Sequence, residues 1–152
     1  MNIEFESTFK PIQHQELITF EETYSLVLPD DYKNFLMYRN GGKTVRRRFE
    51  TRDQKITSSI MLFLPLSNET ECNLEDYYKK YNGGAIIPPN FIPIGIDPAD
   101  SLICLSVNEE DQGKVYFCDM DYFEEDNELR PEFIKLVSSS FGEFVNSLYQ
   151  PE

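Results

Sequence analysis

The sequence has few of the residues on which enzyme active sites and metal centres depend. Its 152 residues include one histidine, His14, three cysteines and no tryptophan. No cysteine spacing is Cys-x-x-Cys, so the sequence predicts neither a disulfide framework nor a zinc site. The motifs His-Glu-x-x-His, Gly-x-Ser-x-Gly and Gly-x-Gly-x-x-Gly are also missing. We therefore predict a non-enzymatic protein without a cofactor or a metal site, and we interpret His14 as a surface imidazole.

Long apolar segments are missing as well. The longest apolar stretch, residues 60–66, is far too short to span a bilayer. The first ten residues, MNIEFESTFK, contain acids and lack the hydrophobic segment of a secretory signal. Three cysteines in no disulfide pattern fit a reducing compartment. We therefore predict a cytoplasmic protein.

Basic residues are scarce, and the resulting charge is the strongest compositional signal. Fourteen Lys and Arg stand against 27 Asp and Glu, which gives a net charge of −13 and a pI near 4.4. Nucleic-acid backbones and anionic membranes repel such a protein, whereas a basic protein partner is attracted. The alternative, favoured by composition alone, is that the acidity only keeps the protein soluble.

The acidic residues are concentrated in one segment. Residues 109–128 contain nine acids and one Lys. Such a stretch is typical of a solvated loop, but it also suits a docking surface. Tyr122 and Phe123 are candidate anchors, because aromatic side chains dominate binding energy at interfaces; alternatively they pack on the protein's own sheet. The predicted partner-binding residues are Glu109, Glu110, Asp111, Asp119, Asp121, Tyr122, Phe123, Glu124 and Glu125.

Two further charged segments have weaker functional interpretations. Residues 118–128 are rich in oxygen donors, but they lack the residue pattern of an EF-hand calcium loop. Residues 43–55 contain six basic and two acidic residues. Strand alternation would place Arg46 and Arg48 on one face and Arg47 on the other, as on a solvated edge strand. Because the net charge is negative, pairing of these arginines with the acidic segment is favoured over nucleic-acid binding.

Hydrophobic periodicity predicts helices near both ends of the chain. Leu17, Phe20 and Tyr24 recur at helical steps within residues 12–24. A second helix is predicted to hold Pro29 in its first turn, followed by two acids near the positive end of its dipole. A final amphipathic helix is predicted within residues 139–149. The apolar stripe of the second helix consists of Tyr32, Phe35 and Leu36, with the stem of Arg39 alongside.

Two Asn-Gly-Gly segments are interpreted as helix stops. Asn40-Gly41-Gly42 follows the second helix, and Asn82-Gly83-Gly84 follows a short helix predicted to begin at Asn73. Asn and Gly adopt the left-handed backbone conformation that ends many helices. Because the flanking sequences share little else, we interpret the segments as independent caps rather than as a repeat or a ligand loop.

The middle of the chain has the pattern of strands. Strands are predicted for residues 58–66, 91–96, 101–107, 114–119 and 133–139, and the third and fourth of these are joined by a hairpin turn. The strands follow one another instead of alternating with helices. This order predicts an α+β fold with a largely antiparallel sheet, and the length predicts a single domain, residues 1–152.

The segment LPDDYKNFLMYRNGG, residues 28–42, closely resembles the signature of the SUKH superfamily, which includes the yeast Smi/Knr cell-wall regulators and many bacterial proteins. Three later segments, NFIPIGIDPADSLICLSV, GKVYFCD and SSSFGEFVNSLY, resemble further family motifs in the same order, so the resemblance covers residues 17–149. Ala99 stands where the family often has Gly before Asp100, which argues against a positive φ there. The positions to which the signature assigns a structural role are Leu28, Pro29, Tyr32, Phe35, Leu36, Asn40, Gly41 and Gly42.

The resemblance implies a SUKH-like (Smi/Knr-like) α+β domain, with a curved, mainly antiparallel sheet packed by an N-terminal helix pair and a C-terminal helix. Bacterial relatives are regarded as immunity proteins that neutralise cognate toxin domains, many of which are nucleases with basic clefts. We therefore expect an immunity-type protein with a basic toxin as its partner, and no nucleic-acid or membrane partner. The alternatives are a regulatory scaffold of cell-wall synthesis, as in the fungal relatives, and an enzyme that uses two separated acids.

Overall fold

The computed structural model describes residues 3–107, 110–121 and 129–150. The helices of the described part are α1 (His14–Tyr24), α2 (Asp30–Tyr38), α3 (Leu74–Tyr77) and α4 (Phe141–Ser147). A π-helical turn, Tyr78–Asn82, extends α3, and a 3-10 turn, Pro131–Phe133, lies before the strand that precedes α4. Its strands are β1 (Phe5–Phe9), β2 (Asn40–Thr44), β3 (Arg48–Glu50), β4 (Thr57–Ser59), β5 (Leu62–Phe63), β6 (Phe91–Ile96), β7 (Leu102–Ser106), β8 (Val115–Cys118) and β9 (Ile134–Ser138).

Seven strands form one sheet in the order β1-β2-β5-β6-β7-β8-β9, and β3 and β4 form a separate hairpin. Each of these strand pairs is antiparallel, so the predicted α+β fold with a mainly antiparallel sheet is confirmed. The four later strands were predicted at the positions of β6 to β9. Strand β1 was not predicted, because its sequence FESTF is apolar only at its two ends.

Helices α1, α2 and α4 pack on the sheet around a cluster of aromatic side chains. The ring of Phe35 lies 4.8 Å from that of Phe63 in β5 and 4.9 Å from that of Phe141 in α4, measured between centroids. Tyr32 and Leu36, the other members of the predicted stripe, are each only 1% exposed. The predicted apolar stripe of α2 is therefore confirmed. Burial of such large rings removes much apolar surface from water and fixes the helices on the sheet.

The ends of α2 differ in detail from the prediction. Pro29 is the N-cap residue, with φ −58° and ψ 144°, so the helix begins at the next residue. Asp31 lies in the first turn as predicted, and its carboxylate accepts a hydrogen bond of 3.0 Å from the Gly142 amide, which connects α2 to α4. The guanidinium of Arg39 lies 4.4 Å from the ring centroid of the exposed Tyr38 rather than along the buried stripe.

The first Asn-Gly-Gly segment is the beginning of a strand, so its interpretation as a left-handed helix stop is wrong. Helix α2 already ends before Arg39, which is extended, and Asn40–Thr44 forms β2. Gly41 and Gly42 have φ values of +68° and +124°, which L-residues rarely adopt. A Cβ atom on Gly42 would lie 2.1 Å from the carbonyl oxygen of Ser7 in β1. The glycines therefore allow neighbouring backbone to approach β2 closely.

The second Asn-Gly-Gly segment also lacks the expected left-handed residue. Helix α3 begins after Asn73 as predicted, and the Asn73 side chain accepts a hydrogen bond of 2.8 Å from the Asp76 amide. The chain then continues through the π turn, and Gly83 keeps a right-handed φ of −60°. The left-handed residue is Ala85, with φ 58°. The reversal of the chain therefore occurs two residues after Gly83.

The turn between β6 and β7 has its positive φ at Asp100 and not at Ala99, the position at which the sequence argued against one. Asp100 has φ 64°, and no glycine is required because Asp tolerates this conformation better than most residues. The turn is stabilised by Asp97, which is 7% exposed. One carboxylate oxygen of Asp97 accepts the amides of Ala99 and Ser101 at 2.9 and 2.8 Å, and the other accepts the Ser58 hydroxyl at 2.8 Å.

Candidate protein-binding surface

The predicted acidic contact residues lie at two separate places in the described part of the chain. Glu110 and Asp111 belong to the turn between β7 and β8, whereas Asp119 and Asp121 follow the other end of β8. The four residues of β8 separate the two groups by about 13 Å, at about 3.3 Å per residue. The remaining predicted contact residues lie outside the described residues: Glu109, Tyr122, Phe123, Glu124 and Glu125.

The turn between β7 and β8 lies beside the connection from α1 to α2. Asp111 is 3.6 Å from the Lys114 ammonium, and it accepts a hydrogen bond of 3.2 Å from the Tyr116 hydroxyl. Burial, and then the charge of Asp111, raise the pKa of Tyr116. The side-chain amide of Gln112 donates to the carbonyl oxygen of Val27 at 3.3 Å. Because the Val27 side chain is 67% exposed, this acidic turn has an apolar neighbour at the surface.

The carboxylates after β8 lie beside the turn between β6 and β7. The Asp119 carboxylate accepts the Asp121 amide at 3.1 Å, and the Met120 amide donates to the Ser101 hydroxyl at 2.9 Å. The pKa of Asp121 is raised, first by partial desolvation and then by the negative charges of Asp119 and Asp97. Neighbouring carboxylates therefore repel one another here, and a positive charge from a partner would relieve that repulsion.

Two arginines of residues 43–55 form ion pairs outside the acidic segment. Arg47 pairs with Glu6 of β1 at 3.5 Å, and Arg52 pairs with Glu143 of α4 at 2.8 Å. These pairs connect the basic segment to strand β1 and helix α4. The expected pairing with the acidic segment stays a prediction, because residues 109 and 122–128 lie outside the described residues. The expected alternation along a strand is wrong, because β3 begins only at Arg48.

A cleft between α1 and α3 contains acidic residues that the sequence analysis did not identify as a site. Its volume is about 410 Å³, and Phe20 and Leu66 form the apolar part of its lining. Glu16, Glu75 and Asp76 contribute carboxylates to the same cleft. A signal for it was present in the sequence, since residues 69–76 contain four acids and no Lys or Arg. The other wall of the cleft comes from a distant helix, which no local pattern reveals.

The carboxylates of this cleft are hydrogen-bonded only to neutral donors in the part of the chain that the structure describes. Glu75 accepts the Tyr24 hydroxyl at 2.8 Å. Burial, followed by the hydrogen bond and the charge of Glu75, raises the pKa of Tyr24 to about 12. Glu16 accepts a backbone amide and Asp76 a side-chain amide, both at 2.9 Å. None of the three forms an ion pair with Lys or Arg among the described residues.

Other candidate chemistry is limited in the described ranges. His14 is the first residue of α1 and is exposed. Cys104 and Cys118 are buried free thiols whose sulfur atoms lie 3.8 Å apart. Within residues 3–107, 110–121 and 129–150, no group of three or more His, Cys, Asp or Glu could hold a metal ion. No helix in these ranges is long and apolar enough to cross a membrane.

The antiparallel sheet, its helical layer and the cleft between α1 and α3 define an α+β domain with acidic surfaces. The family model of the SMI1/KNR4 family (SUKH-1) matches residues 11–147, and the chain belongs to this family. The family is generally non-enzymatic, and its members bind partner proteins. A search of curated proteins found no matching relative.

Proposed function

We propose that the protein is an immunity-type protein of the cytoplasm, which binds a cognate toxin domain and neutralises it without catalysing a reaction. The observation that carries this proposal is a net charge of −13 on a domain of the SMI1/KNR4 family. A nuclease-like toxin binds phosphate backbones through a basic cleft. An acidic protein competes for such a cleft, because complementary charge increases the association rate and favours the correct docking orientation.

A direct test uses the C-terminal domain of a toxin-type protein encoded beside the gene. Co-expression of the chain is expected to rescue growth of cells that produce this domain, and the two purified proteins are expected to form a stoichiometric complex. Absence of both rescue and complex formation would overturn the proposal. Specific binding to proteins of cell-wall synthesis, measured with purified components, would favour the regulatory scaffold instead.

Charge reversal tests the part of the acidic segment that follows β8. In the triple variant D121K/E124K/E125K, we expect the association rate with the toxin domain to fall at least tenfold at low salt, because electrostatic steering is lost. Stopped-flow fluorescence measures this rate. The matched control E6K/E50K/E132K reverses three acids at other places in the chain and makes the same change in net charge. If both variants slow association equally, only the net charge matters and these residues are not the contact.

A further inference from the structure

Glu16, Glu75 and Asp76 come from two separate helices to line the α1–α3 cleft, and none of them forms an ion pair among the described residues. Elsewhere, Asp53 lies 3.1 Å from the Lys135 ammonium, and Glu143 lies 2.8 Å from the Arg52 guanidinium. In the cleft, three carboxylates share one concave space and accept only neutral donors within the described ranges. A cation that enters a space lined by three carboxylates is attracted by each of them.

The shape and lining of the cleft select the kind of cation. A volume of about 410 Å³ is at the lower end of the range for sites that take organic groups. Phe20 and Leu66 provide apolar surface beside the carboxylates. A Lys or Arg side chain is complementary to this lining, because its methylene stem packs on apolar groups while its charged end pairs with acids.

The end of α1 and the residues after it connect the cleft to the acidic turn between β7 and β8. Tyr24, at the end of α1, donates its hydroxyl to Glu75 in the cleft. Three residues later, the Val27 carbonyl oxygen accepts the Gln112 side chain of the turn. Three residues span at most about 11 Å, so both acidic groups lie near the end of α1 with the exposed Val27 beside them. Acidic groups around an apolar side chain resemble the polar rim and apolar centre of protein interfaces.

We propose that the α1–α3 cleft receives a Lys or Arg side chain of a basic protein partner, and that Val27 and the β7–β8 turn complete the contact. This inference rests on the proposed function, because the toxin domain is the partner that would present the basic side chain. It adds the cleft and the β7–β8 turn to the contact surface, together with the carboxylates after β8 that charge reversal tests.

The cleft is tested first with a small probe, the peptide acetyl-Gly-Arg-Gly-amide, titrated into the ¹⁵N-labelled protein. We expect saturable NMR shifts, with a Kd in the millimolar range, concentrated at the amides of Thr19, Thr23, Glu75 and Asp76. The same peptide with citrulline in place of arginine keeps the shape but lacks the charge, and is expected to bind at least tenfold more weakly. Shifts that are spread evenly over all acidic residues would overturn the proposal.

Variants separate the cleft from the general acidity of the protein. E16Q/E75Q retains an acceptor for each existing hydrogen bond and removes two charges from the cleft, so we expect about tenfold weaker peptide binding. The control E6Q/E132Q removes two charges from exposed side chains outside the cleft and is expected to bind as the wild type does. Equal weakening in both variants would overturn the assignment to the cleft. The dispersion of the amide spectrum shows that each variant is folded.

The toxin domain then distinguishes failure of this inference from failure of the proposed function. We expect E16Q/E75Q and Val27→Ser each to bind the toxin domain at least tenfold more weakly than E6Q/E132Q does. Tight toxin binding that neither change affects would overturn the cleft contact and leave the immunity function standing. Binding of the arginine peptide in the cleft without any binding of the toxin domain would overturn the proposed function and leave the cleft as a site for basic side chains.

Discussion

Asn40 illustrates how the environment of one residue decides its role. The Asn40 side chain is 1% exposed and donates to the carbonyl oxygens of Lys10 and Leu66 at 2.9 and 3.1 Å. Its own oxygen accepts the Leu66 amide at 2.9 Å. It thus joins three chain segments that are distant in sequence. Asn82, in the other Asn-Gly-Gly segment, donates to two carbonyl oxygens at 2.9 Å but is only partly buried.

The two asparagines provide a matched pair of substitutions. Asn40→Asp would place a buried carboxylate against two carbonyl oxygens, and we expect it to lower the free energy of unfolding by about 3–5 kcal/mol at pH 7. Asn82→Asp makes the same chemical change where water reaches the side chain, so we expect a loss of only about 1–2 kcal/mol. Urea unfolding measures both values. Equal losses would contradict the role assigned to Asn40.

At the scale of elements, aromatic contacts hold α1 against the segment that follows α3. The ring centroid of Tyr24 lies 5.2 Å from that of Phe20 and 5.0 Å from that of Tyr78. The hydroxyl of Tyr24 also reaches Glu75. Rings at these distances add to the free energy gained from burial alone. These contacts therefore fix the position of α1 relative to the segment that follows α3.

This contact predicts a specific dependence of stability on alkaline pH. The pKa of Tyr24 is about 12 in the folded protein against 10.0 for an ordinary tyrosine, so the unfolded chain loses its proton first as the pH rises. The stabilisation is complete below pH 10 and is lost progressively between pH 10 and 12. In Tyr24→Phe we expect a shallower decline of stability over this range, measured by urea unfolding.

Two comparisons make the Tyr24 measurement decisive. The variant Tyr24→Phe also loses its hydrogen bond to Glu75, so at pH 7 we expect a loss of up to about 1 kcal/mol. Tyr38→Phe is the control, because the Tyr38 side chain is 48% exposed, and it is expected to leave the alkaline decline unchanged. The prediction fails if Tyr24→Phe has the same slope between pH 10 and 12 as the wild type.

At the scale of the whole molecule, the excess of acids acts on every part of the fold. A net charge of −13 creates repulsion between like charges in the compact state, which expansion of the chain relieves. Ion pairs such as Arg52–Glu143 offset this repulsion only locally. The same charge that favours a basic partner therefore lowers the stability of the free protein.

Salt is consequently expected to stabilise the protein. Between 10 and 200 mM NaCl, we expect Tm to rise by about 3 °C for each kcal/mol of repulsion that is screened, measured by circular dichroism. Choline chloride at equal ionic strength should give the same rise, because screening does not depend on the identity of the cation. A Tm that falls or stays constant would show that the ion pairs outweigh the repulsion.

The sequence alone predicted those helices and strands whose hydrophobic pattern lies within a short segment of the chain. The helical stripe of Tyr32, Phe35 and Leu36 and the apolar run of β6 were predicted correctly, because burial of one face imposes a period on the residues that line it. Strand β1 and the roles of the two Asn-Gly-Gly segments were not predicted correctly. Gly42 is required by the nearby carbonyl oxygen of Ser7, which lies 35 residues earlier and leaves no mark in the flanking sequence.

The division between sequence and structure is similar for the candidate site. Composition by itself determined the sign of the net charge, because charges add regardless of where they lie. Only the tertiary structure placed Glu16 and Glu75 in one cleft. A surface is formed by residues that are close in space, and their proximity depends on packing between segments that are distant in sequence.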